Sequence, residues 1–598
     1  MVRFLPLSLM LFFALFASYA VAQHGGSGGG APRGATPTPN SSGNNSAPFA
    51  GAYSTTPSSI RPGARADDEK KVEFRSQTVL VQVPTVVTDK AGNHVHELKK
   101  EDFKVEENGK EQKITVFEEV TATKAGLTQV ANPPGTFSNL AQNGEPPRSV
   151  AVIALDTVNT PFLDQTYGRK QLVQYLADNL DSVPVLAMVV IGSKGVKTIS
   201  GLTNDPASLL NALKKVRGEL PAMQGVDIDA QALAAANSAS SGLVAPLAPG
   251  GDPTAQIEQF VTQGDAIFAS YQQSRAIENT MQAFLMIAWS LSGIPGRKSL
   301  IWATGGFPFY IDSPSTVPGG NLSVLYERAM EALNDAQVSV YPVDVRGLVN
   351  YSVVSDATVR GPANPQAFAM RNTNRSWLQS STIGTLQEFA AMTGGRAFYN
   401  SNDLTASFKH AVEDSTSYYL VGYYMDTQNT KPGWRKLQVK VAHKDVEVRA
   451  RSGFLVTNAT VNPQMTQQAD LAFALNSPFD STGIPLSVQW HGALADGDKK
   501  KVSFTLHLPA NGVTIEGERN TFDMDFIAQA VKNGAPPSNV GSTAKGALTA
   551  DALAKIKADG IYYGNAFDLP PGDYQVKFVV RDNLSGRIGS VTAPLTVN

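Results

Sequence analysis

Residues 148–162 read RSVAVIALDTVNTPF. An unbroken apolar run from Val150 to Leu155 ends in Asp156, and Thr157, Asn159 and Thr160 follow within four positions. Apolar residues without polar alternation predict a strand covered on both faces, the kind found in a parallel sheet flanked by helices. In open sheets of that type ligands bind beyond the carboxyl ends of the strands, where Asp156 is expected to stand. Hard cations such as Mg²⁺, Mn²⁺ or Ca²⁺ suit an oxygen-rich cluster of this composition. The plainer reading makes Asp156 structural: a carboxylate that caps the next helix or accepts backbone N–H groups in the turn, with Asn159 and Thr160 ordering the loop.

The same grammar extends through residues 147–414. Apolar runs VLAMVVIG, KSLIWAT and VSVYPVDV alternate with the helical patterns FLDQTYGRKQLVQYLADNL, PASLLNALKKV, ENTMQAFLMIAWSLSGI, SVLYERAMEALNDA, IGTLQEFAAMTGG and DLTASFKHAVEDS, with a last short strand at RAFYN. Strands separated by amphipathic helices predict an α/β domain, a mainly parallel sheet covered by helices on each side. Residues 219–275, rich in Ala, Ser and Gly, break the alternation and are expected to form a mobile insertion with some helix; residues 347–380 have no period and are expected to be surface loop.

On either side the period changes to two. Residues 71–122 and 415–457 alternate apolar and polar residues around turn signals such as Asn108-Gly109, which predicts two parts of one discontinuous β-sandwich. Residues 464–598, with the Pro-Pro-Gly-Asp turn before an alternating strand, predict a C-terminal immunoglobulin-like β-sandwich.

Residues 1–22 carry Arg3, an apolar stretch to Phe16 and the small-x-small end Ala20-Val21-Ala22, the pattern of a cleaved secretory signal. Residues 23–70, dominated by Gly, Ser, Pro, Asn and Thr, predict a disordered tether. No later apolar run approaches the ~20 residues that span a bilayer, so no transmembrane segment is expected in the mature chain. The expected location is periplasmic or secreted. There is no cysteine, so stability must come from packed cores, and a net charge of −2 without a basic run argues against nucleic acid as a partner.

The stretches TDKAGNHVHELKKEDFKVEENGKEQKITVFEE, ALDTVNTPF, SGIPGRKSLIWATGGFP, YPVDVRG and YYLVGYY together resemble the von Willebrand factor A related group of exported bacterial proteins, over roughly residues 74–456. The resemblance implies a doubly wound, von Willebrand A-like (Rossmann-like) α/β domain inserted in the discontinuous β-sandwich, with a metal-ion-dependent adhesion site built as Asp-x-Ser-x-Ser after the first strand, a Thr from a second loop and an Asp after the fourth strand. On that pattern Asp156, Thr160 and Thr280 match, whereas the first Ser falls on Val158 and the second Asp on Gly305. With one carboxylate where two are usual, the implied site is degenerate and no cofactor is expected, Mg²⁺, Mn²⁺ or Ca²⁺ being the open alternatives. The expected function is non-enzymatic binding of a protein or cell-surface partner through a rim comprising Asp156, Asn159, Thr160, Thr280, Gly305, Phe309 and Tyr310. The alternatives are metal-dependent adhesion, an envelope spacer, or a hydrolase.

Weaker signals complete the reading. His94 and His96 lie two apart on an expected hairpin, where both side chains share one side and could ligate a metal; an exposed polar face is the preferred reading. GIPGRKS lacks phosphate-loop spacing, so Arg297 and Lys298 are expected to lead from a helix into a strand. Glu106-Glu107 and Glu118-Glu119 alternate sides and are expected on solvated edges. Trp302 is expected in the core, and Phe309 and Tyr310 as interface aromatics.

Overall fold

The structure is a computed structural model that describes residues 78–121, 134–139, 149–179, 185–218, 253–307, 322–348, 382–414, 416–426, 431, 433–456, 463–517 and 519–598. The signal and tether segments, most of the 347–380 loop, and Phe309 and Tyr310 lie outside them.

Five strands open the described chain: β1 (Thr78–Asp89), β2 (Phe103–Glu107), β3 (Lys110–Gln112), β4 (Val116–Thr121) and β5 (Thr136–Ser138). Next come β6 (Val150–Asp156), α1 (Phe162–Asp178), β7 (Val185–Gly192), β8 (Gly195–Thr203), α2 (Pro206–Lys214) and α3 (Pro253–Leu291). β9 (Lys298–Thr304), α4 (Leu322–Asp335), β10 (Val338–Asp344), α5 (residues 382–393) and α6 (Leu404–Glu413) complete the middle region. After it follow β11 (Ser417–Asp426), β12 (Gly433–Val441), β13 (Val446–Arg449), β14 (Gly453–Val456) and α7 (Pro463–Asn476). The chain ends with β15 (Ser487–Asp496), β16 (Lys499–Leu508), β17 (Thr521–Val531), β18 (Ser538–Ala547), α8 (Ala550–Asp559), β19 (Ile561–Leu569), β20 (Gly572–Asp582) and β21 (Ile588–Val597).

The expected α/β class is corrected by these elements. Among the described residues strand makes up 44% against 29% helix, and the five sheets are mostly antiparallel, so the fold is β-rich rather than a doubly wound α/β von Willebrand A-like fold. Among the described residues, sixteen of the twenty-one strands lie outside residues 147–414. The alternation of strand and helix is confined to that region, and the strands around it, ten of them nine residues or longer, outweigh its helices in the whole.

Four sheets are antiparallel throughout. β13-β1-β11-β4 and β14-β12-β2-β3 each draw strands from before and after the middle region, and they enclose one core of Val81, Val83, Val105, Tyr419, Val421 and Leu437. β19-β16-β15-β5 and β18-β17-β20-β21 enclose a second, around Phe504, Phe526, Phe567 and Phe578. Both pairs are sandwich-like. β5, a segment the sequence reading left unassigned, adds itself to the C-terminal sheet by pairing Thr136–Ser138 with Gln489–Ser487.

The fifth sheet, ordered β10-β9-β6-β7-β8, positions the site. Its β10–β9, β9–β6 and β6–β7 pairs are parallel and β7–β8 is antiparallel. Val150, Val152 and Ala154 pack in a core with Phe284, Leu333 and Phe389; Ala151, Ile153 and Leu155 pack in another with Leu172, Leu176 and Phe408. Both faces of β6 are therefore dry, which is why its sequence shows no alternation.

α3 begins at Pro253 and runs 39 residues, so residues 253–275 of the expected 219–275 insertion are helix; residues 219–252 lie outside the described part. Two local expectations change. RAFYN forms no strand, only a single bridge between Phe398 and Val343. Glu107 is not a solvated edge: it is 8% exposed, accepts from the Tyr423 hydroxyl at 2.8 Å and lies 3.4 Å from Arg435. Among the described residues no helix is long and apolar enough to cross a membrane.

Candidate functional site

Because β6, β9 and β10 run parallel, their carboxyl ends share one rim, and Asp156, Thr304 and Asp344 terminate them. Asp156 is 2% exposed. Its Oδ1 accepts from the Asn159 backbone N–H at 3.0 Å; its Oδ2 accepts from Asn159 Nδ2 at 2.8 Å and from Trp302 Nε1 at 2.9 Å, and Thr304 Oγ1 lies 3.0 Å away. Burial pushes this carboxyl above its ordinary range, while the donors from Asn159, Trp302 and Thr304 pull the other way by stabilising the charge.

The neighbours are equally committed. Asn159 Nδ2 also donates to Thr280 Oγ1 at 2.9 Å, and Thr280 in turn donates to the Ala276 carbonyl at 2.9 Å. The Thr160 hydroxyl donates to the Asp156 carbonyl and accepts from the Gly305 N–H at 2.8 Å. Gly305 has no room for a side chain there, since a Cβ would fall 2.8 Å from Pro161 Cδ and 3.0 Å from Thr160 Cα. The structure thus brings five of the expected rim residues, Asp156, Asn159, Thr160, Thr280 and Gly305, into one hydrogen-bonded node.

This arrangement does not fit a divalent cation. Both carboxylate oxygens face N–H donors, and the hydroxyls of Thr160 and Thr280 each already donate once and accept once. Position 158 is Val and position 305 is Gly, so neither supplies the missing oxygen. The node fixes the turn between β6 and α1, and through Thr280 and Thr304 it ties that turn to α3 and β9.

Beside it lies a shallow cleft, open to solvent, between α1 and residues 216–218, lined by Asp156, Thr160, Asp164, Gln165, Arg169 and Arg217 among others. Gln165 Nε2 donates to the Thr157 and Thr160 carbonyls at 3.0 and 2.8 Å, holding the start of α1 against the turn. At the end of β10, Arg346 grips Asp344 with Nε and Nη2 at 2.9 and 2.6 Å. Burial raises the Asp164 carboxyl, and Arg346 opposes the shift. Around this rim three apolar side chains face solvent: Phe162 is 41% exposed, Leu163 79% and Leu348 59%.

Sequence reasoning missed Thr304 and the second role of Trp302. Period two along β9 places both on the side of the sheet that Ala154 and Asp156 share, and the register opposes Trp302 to Ala154. Trp302 is core, as its edge-to-face contacts with Phe284, Phe307 and Phe389 show, and its indole N–H is also a ligand of the carboxylate. No family profile matches the chain, and no curated protein matches it.

Proposed function

We propose that this chain is an exported binding protein, not an enzyme, and that it engages a protein or cell-surface partner through the rim at the carboxyl ends of β6, β9 and β10. The observation that supports this most directly is the group of solvent-facing apolar side chains on that rim, with Leu163 79% and Leu348 59% exposed beside a cleft carrying Asp164, Arg169 and Arg217. Single exposed apolar residues are ordinary, but several on one rim around a polar-edged cleft form the surface that protein partners cover. The buried Asp156 node serves this reading as a rigid support that holds the start of α1, and so Phe162 and Leu163, in place. Export rests on residues 1–22, which carry the secretory pattern.

The test is capture from envelope extract with the wild-type chain, a Leu163→Glu/Leu348→Glu variant and a Leu494→Glu control, the last changing a 70% exposed residue on β15 far along the chain. The rim variant is expected to lose the captured protein and the control to keep it. Equal capture by all three would refute the assignment of the rim.

A further inference from the structure

We propose that His94, His96 and Glu119 form a binding site for a divalent first-row transition cation of the Zn²⁺ type, remote from the β6 rim. The site is built by a turn and a sheet edge. β1 ends at Asp89, whose carboxylate accepts from the N–H groups of Ala91 and Asn93 at 2.8 and 2.9 Å and from Asn93 Nδ2 at 3.1 Å. That turn sends the chain back along β1, with His94 bridged to Thr88 and the Val95 N–H donating to the Val87 carbonyl at 2.9 Å. Glu97 then adopts a φ of 64°, and its N–H donates to Glu119 Oε2 at 3.1 Å.

Glu119 stands on β4 directly opposite Tyr419 of β11. The Tyr419 ring stacks on His94 with centroids 5.3 Å apart, and its hydroxyl donates to the Val95 carbonyl at 2.7 Å and accepts from the Leu98 N–H at 3.1 Å. The imidazoles are thereby laid over the carboxylate. Glu119 Oε1 is 2.7 Å from His96 Nδ1 and 3.6 Å from His94 Nε2, and one ligand atom from each of the three residues lies within 4.8 Å of the others.

Two observations separate this cluster from an ordinary His–carboxylate contact. The His94 side chain is only 10% exposed, and neither of its ring nitrogens has a hydrogen-bond partner. Its Nε2 faces Glu119 Oε1 at a separation too long for a hydrogen bond and close to the ~3.3 Å between two ligands of a tetrahedral ion with bonds of ~2.0–2.1 Å. The His96 side chain, 56% exposed, can swing by the few tenths of an ångström an ion requires and leaves the remaining coordination position to water. Asp414, the other carboxylate felt by His94, is committed to Arg449, with Oδ1 3.0 Å from Nη2. Two imidazole nitrogens and one carboxylate oxygen favour Zn²⁺, Co²⁺ or Ni²⁺ over Mg²⁺ or Ca²⁺, which prefer all-oxygen shells. Bound there, the ion clamps the 94–98 loop to β4.

The full chain, stripped with chelator, is dialysed against Zn²⁺ and its metal content measured, with Co²⁺ absorption reporting nitrogen coordination. One equivalent per chain is expected, with affinity reduced at least about tenfold in His96→Ala and Glu119→Gln and unchanged in His491→Ala, an exposed histidine elsewhere. His96→Ala keeps the fold because the residue is exposed, so its result is interpretable even if Glu119→Gln loosens the loop. Failure of the wild type to take up one equivalent, or wild-type affinity in His96→Ala, overturns the proposal.

Discussion

Asp156 shows what a buried carboxylate demands of its surroundings. Removing it in Asp156→Ala strips the acceptor from Trp302 Nε1 and from both N–H groups of Asn159, all buried or half-buried, and leaves donors without partners. A loss of about 3 kcal/mol or more is expected, read from urea unfolding. Lys298 carries a different signature. It is 2% exposed, its ammonium donates to the Ile294 carbonyl at 2.6 Å, and burial lowers its pKa from 10.5 to about 7. Between those two values the unfolded chain binds a proton that the folded chain does not, so stability rises with pH across that window; below about 7 the folded chain bears the full cost of a buried charge. Lys298→Met should abolish that rise. Comparing unfolding free energies at about pH 6.5 and about pH 9, a difference on the order of 2 kcal/mol is expected in the wild type and none from this group in the variant.

Elements were legible in proportion to how local their cause is. The runs at 150–156, 185–192, 298–304 and 338–344 coincide with β6, β7, β9 and β10, because a strand dry on both faces carries a mostly apolar run without alternation. The Asp156–Asn159–Thr160 turn was visible for the same reason, all its members lying within four residues. What stayed hidden depends on partners far along the chain: Trp302 as a donor to Asp156, Glu119 as the carboxylate beneath His94 and His96, and β5 beside β15. The fold class failed at the scale of the whole chain: strand and helix alternate only within residues 147–414, and sixteen of the twenty-one described strands lie outside it. Close approach between elements also leaves little trace in one sequence. Gly395 lies against β10, where a Cβ would fall 1.9 Å from the Val340 carbonyl oxygen. Gly395→Ala must push α5 and the strand apart, and a loss of about 1–3 kcal/mol in thermal or urea unfolding is expected.

Across the molecule the C-terminal sheets are joined to the middle region by specific contacts. Trp289 of α3 meets Phe473 of α7 edge-to-face at 5.4 Å, and Thr482 donates its N–H to the Trp289 carbonyl at 3.0 Å and its hydroxyl to that of Ser290 at 2.8 Å. Asp470 holds Arg328 of α4 on one side and Arg581 of β20 on the other, with Arg581 Nη2 at 3.0 Å. Asp470→Ala strands the largely buried Arg581 guanidinium, and a loss of about 3–5 kcal/mol is expected, with calorimetry resolving two unfolding transitions where the wild type has one. The pairing of β1 with β11 has a consequence measured in time. Leu98 and the Tyr419 hydroxyl that holds it are 321 residues apart, and at ~5–20 residues per second the ribosome needs tens of seconds to deliver the second after the first. Throughout that interval Val81 and Val83 have no companion strand, so pulse-labelled refolding should protect β1 amides only when β11 amides become protected, later than those of the neighbouring β20 and β21. Until β11 arrives, a nascent chain built this way carries the Val81–Val83 edge of β1 uncovered, the kind of strand edge that invites pairing with another chain.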